Sequence, residues 1–247
     1  MMRMLRCLAL CALVLFSAPR AHAAGDVDLL LVLAVDVSRS IDQGKFLLQR
    51  DGYAAAVSNR GVLDAIKSGP NQKIGLEFVE WSGYGAQKVV IDWTVIDGPD
   101  SARRFADQIV EAPRSFADRT SISGGIEFAA AQLSASPFNA PRRIIDVSGD
   151  GTNNAGREVT AARDDVVAKG IIINGLVILS DNQVLFNAEH TNPPGGLEKY
   201  YRDHVIGGPG AFVMVAENFE AFGRAIVKKL IAEIAAAPRL QKTASAR

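Results

Sequence analysis

Between Asp28 and Val35 the chain reads DLLLVLAV, an apolar run too short for a helix of its own and bounded by Asp28 and Asp36. A run apolar on both faces predicts a central parallel strand. From Gly44 to Val57 the spacing changes, and Phe46, Leu47, Tyr53, Ala54 and Val57 form an apolar stripe that predicts a helix. Lys73 to Trp81 and Gln87 to Thr94 read as strands joined by the turn Ser82-Gly83-Tyr84-Gly85, a short link that predicts an antiparallel edge hairpin.

Further along, Asp100 to Glu111 predicts a helix with Asp100 or Ser101 near its start, ended by Pro113, and Ser121 to Leu133 predicts another. Arg142 to Val147 reads as a strand, Arg157 to Lys169 as a helix stopped by Gly170, and Ile171 to Leu179 as an apolar strand. Ala211 to Val215 is a short last strand. Phe219 to Ala236 is a helix with Phe222, Ile226, Leu230 and Ile234 on one face. Strands alternating with helices imply a doubly wound, Rossmann-like α/β fold: a mostly parallel sheet, one antiparallel edge strand, and helices on both faces. The 247 residues, 48% of them hydrophobic, suffice for one such domain, expected over 26–236.

The ends of the chain read differently. Residues 1–23 have Arg3 and Arg6, an apolar stretch from Cys7 to Phe16, and then Ala21-His22-Ala23, which is the order of a secretory signal peptide cleaved after Ala23. The apolar stretch is too short to span a bilayer, and no later segment is both long enough and uncharged, so no integral membrane segment is expected after leader cleavage. A lipid anchor on Cys11 is disfavoured by the large Leu10 before it. The expected location is periplasmic or secreted, and residues 237–247 are expected to form a disordered tail.

Composition narrows the function. Both cysteines lie in the leader, which excludes thiol catalysis and cysteine metal sites from the mature chain. Loss of Arg3, Arg6 and Arg20 takes the basic residues from 27 to 24 against 27 acidic ones, a balance that argues against nucleic acid as a partner. No G-x-S-x-G elbow, Walker loop or G-x-G-x-x-G occurs. GDGT at 149–152 is close to a kinase-type GGDGT turn, but Ser148 replaces the first glycine; the same serine replaces the nucleophilic aspartate of a haloacid-dehalogenase-type phosphatase. His190 and His204 read as surface or packing residues, and Asn187 to Gly196 as a plain connection. Trp81 and Trp93 read as strand packing.

What remains is a set of oxygens. DVSRS, Asp36 to Ser40, follows the first strand at its carboxyl end, where open parallel sheets bind ligands. Alternate residues of an extended turn project together, so Asp36, Ser38 and Ser40 can converge on one point. Oxygen donors without nitrogen or sulfur suit Mg²⁺, Mn²⁺ or Ca²⁺. Asp150 holds the equivalent place after RRIIDVSG, flanked by Gly149 and Gly151, which would permit a sharp turn; Asp146, four residues earlier, reads as structural. Thr120 precedes a helix in DRTSISGG, with Ser121 and Ser123 as rival donors. Each feature also has a plain reading: an N-cap for DVSRS and for Thr120, a turn for GDG.

Taken in order, DxSxS, a threonine before a helix in the form TxxxxGI, and an aspartate in a GDG or TDG turn after a strand, the pattern resembles the metal-ion-dependent adhesion site (MIDAS) of von Willebrand factor type A (vWA) domains. The similarity covers nearly the whole mature chain, and is greatest to an exported bacterial group described as a domain of unknown function. The resemblance implies that Ser38 and Ser40 bind the metal directly, Thr120 directly or through water, and Asp36 and Asp150 largely through water. It implies a non-enzymatic interaction module whose ion keeps an open position for an Asp or Glu carboxylate of a protein partner. The alternatives are a metal-dependent phosphoester hydrolase on the same oxygen cluster, for which no general base was evident in the sequence, and a purely structural ion.

Overall fold

In the computed structural model, residues 25–179 and 188–235 are described. The expected leader, the tail and residues 180–187 lie outside them. The strands are β1 (Leu30–Asp36), β2 (Ile74–Trp81), β3 (Gln87–Ile96), β4 (Arg143–Gly149), β5 (Ile172–Ile178) and β6 (Val213–Ala216). They form one sheet in the order β3-β2-β1-β4-β5-β6, in which only the β2–β3 pair is antiparallel. The helices are α1 (Gln43–Val57), α2 (Arg60–Lys67), α3 (Pro99–Glu111), α4 (Ile122–Ala135), α5 (Val159–Val167), α6 (Ala188–Thr191), α7 (Leu197–Tyr200) and α8 (Phe222–Ala235), with a π-helical turn at Tyr201–Val205. No helix among the described residues is long and apolar enough to cross a membrane.

The double-faced reading of β1 is visible in the packing. Leu31, Leu33 and Val35 enter a core shared with α1, α2, α3 and α8, while Leu30, Val32 and Ala34 enter one beneath α4 and α5. Period-two alternation sends neighbouring side chains to opposite faces, so a strand covered on both sides must be apolar throughout.

Two details near the start of the domain depart from the sequence reading, as do the short helices α6 and α7 and the π-helical turn, where no element was expected. Leu47, expected in the buried stripe of α1, is 51% exposed. The buried face instead runs through Phe46, Gln49, Arg50, Tyr53, Ala54 and Val57, and Leu47 stands one residue, or 100°, away from its starting point. The short helix α2 was not anticipated; Asn59 caps it and only Val62 and Ile66 are buried, too few positions to show a period.

Two connections leave β1 in opposite directions, toward β2 on one side and, through later chain, β4 on the other. The order therefore reverses between β1 and β4. Val35 lies level with Ser148 across that seam, which puts Asp36 and Asp150 beside each other at the strands' carboxyl ends.

Candidate metal centre at the sheet's switch point

The loop after β1 is not a helix cap. The α1 N-cap is Asp42, whose carboxylate accepts from the Lys45 amide at 2.9 Å. That leaves Asp36, Ser38 and Ser40 for another purpose. Asp36 Oδ1 accepts from the Ser38 amide at 2.6 Å, the Ser38 and Ser40 hydroxyls lie 3.1 Å apart, and Ser40 Oγ donates to Asp150 Oδ1 at 2.5 Å. Four of the five expected residues thus form one connected cluster, and Asp36, Ser38 and Asp150 are almost fully buried.

Arg114 fixes the loop's path. Its Nη2 donates to the Val37 and Ser38 carbonyls at 2.7 and 2.8 Å, and its guanidinium lies over the Phe46 ring. The bond from Arg39 N to Asp118 O, 2.8 Å, ties the same loop to the segment that carries Thr120.

Thr120 is likewise not a cap, because Ser121 caps α4 by accepting from Gly124 N at 3.2 Å. Neither serine rival replaces it: the Ser121 and Ser123 hydroxyls are directed at Gly156. Thr120 Oγ1 instead lies 3.3 Å from His190 Nε2. The directions of the surrounding bonds can be assigned in sequence. The Thr120 amide is a donor, so the side-chain atom of Asn154 facing it at 2.9 Å is Oδ1. Asn154 Nδ2 then faces His190 Nδ1 at 3.4 Å, which makes Nδ1 an acceptor, also for the Thr152 hydroxyl at 3.2 Å. The ring proton belongs on Nε2, where it is donated to Thr120. Burial lowers the His190 pKa, although the Asp150 carboxylate opposes this, and a neutral ring agrees with the assignment.

His190 was read from the sequence as surface or packing, and Asn187 to Gly196 as a plain connection. The described part of that loop instead seals the site: His190 is 6% exposed and packs on the backbone of Gly151. A Cβ at Gly151 would overlap the imidazole, and one at Gly149 would lie 2.5 Å from the Tyr201 hydroxyl and 3.1 Å from Asp36 Oδ2. Neither glycine has a positive φ. They are required for close approach and not, as expected, for a sharp turn.

The electrostatics are unbalanced. Asp36 Oδ2, Asp150 Oδ2 and the Tyr201 hydroxyl are buried without hydrogen-bond partners. Burial, then the Asp150 carboxylate, push the Asp36 pKa up to about 8, and burial raises that of Asp150. Burial, with both carboxylates contributing, also raises Tyr201 well above an ordinary phenol. Two positive charges oppose the rise at the carboxylates: Lys45, whose Nζ is 3.6 Å from Asp150 Oδ2, and the Arg114 guanidinium, which acts on Asp36. Two buried carboxylates, each with a spare oxygen, beside serine hydroxyls that cap no helix fit an oxygen-seeking divalent cation. Among the described residues no three His, Cys, Asp or Glu side chains cluster to hold a metal, so such an ion would depend on the hydroxyls.

Other ionic residues are structural. Asp146, as expected, stands away from the cluster and pairs with Lys229 of α8 at 2.7 Å. Arg50 pairs with Glu80 at 2.6 Å, and Glu80 accepts from Ser115 N, holding the chain just beyond α3.

Solved structures share this architecture at low identity. Proximal thread matrix protein 1 from the mussel byssus aligns over 85% of this chain and 48% of its own, with 15% identity and a TM-score of 0.58. A second structure of that protein, described as having a zinc-occupied MIDAS motif, aligns over 86% and 49% with 16% identity and a TM-score of 0.56. The pilus adhesin SpaC from Lactobacillus rhamnosus GG aligns over 85% and 31% with 12% identity and a TM-score of 0.58. The chain spans about half or less of these relatives' lengths, and at such identities the likeness shows the fold, a vWA-like domain. No curated protein matches the sequence. Residues 26–238 match the family described as "Protein of unknown function (DUF1194)", and the chain belongs to that family.

Proposed function

We propose that this is an exported, divalent-cation-dependent interaction domain that captures an Asp or Glu carboxylate of a protein partner. The observation that carries the reading is the pair of buried carboxylates, Asp36 and Asp150, each with an oxygen lacking a hydrogen-bond partner, next to serine hydroxyls that cap no helix. Ser38, Ser40 and Thr120 would hold the ion, with Asp36 and Asp150 as outer carboxylates; the ion would be Mg²⁺, Mn²⁺ or Ca²⁺. When bound, it supplies a positive charge that neutral hydroxyls leave largely unquenched and that attracts an external carboxylate. The domain's own residues do the rest: Arg114 holds the serine loop, His190 orients Thr120, and Gly149 and Gly151 let the walls close. The adhesion and matrix proteins among the structural neighbours support the same class of function.

The hydrolase alternative gains a base candidate in His190, but its Nε2 faces Thr120 and its Nδ1 is occupied by Thr152 and Asn154, so neither nitrogen is free to accept a proton from a substrate water. Isothermal titration with MnCl₂ and MgCl₂ tests the metal. The native protein should bind one ion and Asp36→Ala none, and indistinguishable titrations would defeat the reading. Pull-down from an envelope extract with and without chelator then tests the partner: capture that survives chelation would leave the ion structural.

A further inference from the structure

We propose that Lys45 is a tethered competitor at this centre, an ammonium group that a divalent cation must displace from Asp150 in order to bind. The inference rests on the metal-binding reading above. Lys45 projects from the first turn of α1 and is 15% exposed. Its Nζ donates to the Ser40 carbonyl at 3.0 Å, lies 3.6 Å from Asp150 Oδ2 and stands over the Phe219 ring at 5.0 Å. Asp150 Oδ2 is one of the two spare carboxylate oxygens of the site, and Ser40 supplies one of its hydroxyls. The ammonium group therefore occupies the ground that a cation would use.

The location is otherwise unfavourable for a lysine. The first turn of a helix carries the positive end of its dipole, and the carboxylate at the start of α1, the N-cap Asp42, accepts from the Lys45 amide and makes no ion pair with its ammonium group. The interaction that compensates lies across the site, with Asp150. Lysine suits exchange because it binds as a point charge on a flexible stem and makes no bidentate fork with the carboxylate. Its partial exposure gives the head group a way out to water, whereas Asp150 is fully enclosed. Phe219 would lose its cation contact in the same movement.

The test compares Mn²⁺ dissociation constants of the native protein, Lys45→Met and Lys45→Arg by isothermal titration at one fixed ionic strength. Lys45→Gln is a second neutral variant in case methionine disturbs the packing on Phe219. Removing a like charge a few ångströms from a divalent ion should tighten binding about tenfold or more in both neutral variants. The Arg variant, which keeps the charge and can fork on the carboxylate, should bind no more tightly than the native protein. Neutral variants that bind no tighter than the native protein would overturn the competition while leaving the metal site standing. Binding by the neutral variants alone would support competition and defeat metal dependence of the native domain. Binding by none of them would overturn both.

Discussion

Thr120 is useful to a cation only if its hydroxyl presents a lone pair, and that orientation depends on a neighbour seventy positions away in the chain. His190→Leu removes the N–H that the hydroxyl accepts and leaves Asn154 Nδ2 without its acceptor. One hydrogen bond of this kind is worth about 1 kcal/mol, so Mn²⁺ affinity should fall about fivefold. In His190→Gln the side-chain amide reaches the Nε2 position and should keep most of the affinity. Equal affinities for native and Leu proteins would remove His190 from the site. A direct check needs no metal: nitrogen NMR of the metal-free protein should show His190 with its proton on Nε2. Asp36, Ser38, Ser40, Thr120 and Asp150 could be picked out of the sequence as candidates because they fall at strand ends and before a helix, in fixed order. His190 and Arg114 were not legible. Each acts by reaching across the fold, His190 to Thr120 and Arg114 to two carbonyls, and no periodicity marks such a residue.

Among the elements, β2 and α8 carry charges that a helix or strand pattern does not forecast. Glu77 lies at the middle of β2, buried, with neither oxygen hydrogen-bonded; burial, and then Asp92, raise its pKa to about 8. For a carboxyl raised in the folded state, the stability it contributes is complete below its unfolded pKa, 4.5, and is lost as pH rises through about 8. Glu77→Gln, a neutral isostere, should match the native protein near pH 4 and exceed it by about 3 kcal/mol at pH 9. Urea melts at the two pH values measure this, and a difference that does not grow with pH would reject it. On α8, the apolar face of Phe222, Ile226 and Leu230 was readable from spacing, but Lys229 and Glu233 are equally buried. Lys229 lies between Asp146 at 2.7 Å and Glu233 at 2.5 Å, and Glu233 also accepts from Asn174. A charge is tolerated there because its partners come from β4, β5 and the helix itself, which no single segment reveals. Lys229→Met strands two carboxylates and should cost about 3–5 kcal/mol in a denaturant melt; adding Asp146→Asn should recover part of that loss.

At the scale of the whole molecule, the sheet order sets two strands running apart from one seam, and the chain closes that seam with acids and hydroxyls where a stable protein would ordinarily place neutral, fully bonded groups. Alternation of strands and helices was enough to predict this architecture and its antiparallel edge, because each element is short and strongly patterned. The seam's cost was hidden, since it arises only when Asp36 and Asp150 are buried side by side. That cost predicts how the domain responds to metal. An ion that binds the folded chain alone adds about 2.7 kcal/mol at a hundred times its dissociation constant, which for a domain of this size raises Tm by about 5–10 °C. The rise should vanish in EDTA and in Asp36→Ala. It should also depend on pH with a definite sign. Burial and the neighbouring Asp150 carboxylate raise the Asp36 pKa, so at lower pH an ion must displace a proton and binding is weakened. The Mn²⁺-induced shift in Tm should therefore be larger at pH 8.5 than at pH 6, measured by calorimetry at constant ionic strength. A shift that is the same at both values would mean that Asp36 is already ionised without the metal, and that Arg114 and the Ser38 hydrogen bonds satisfy its charge from within the fold.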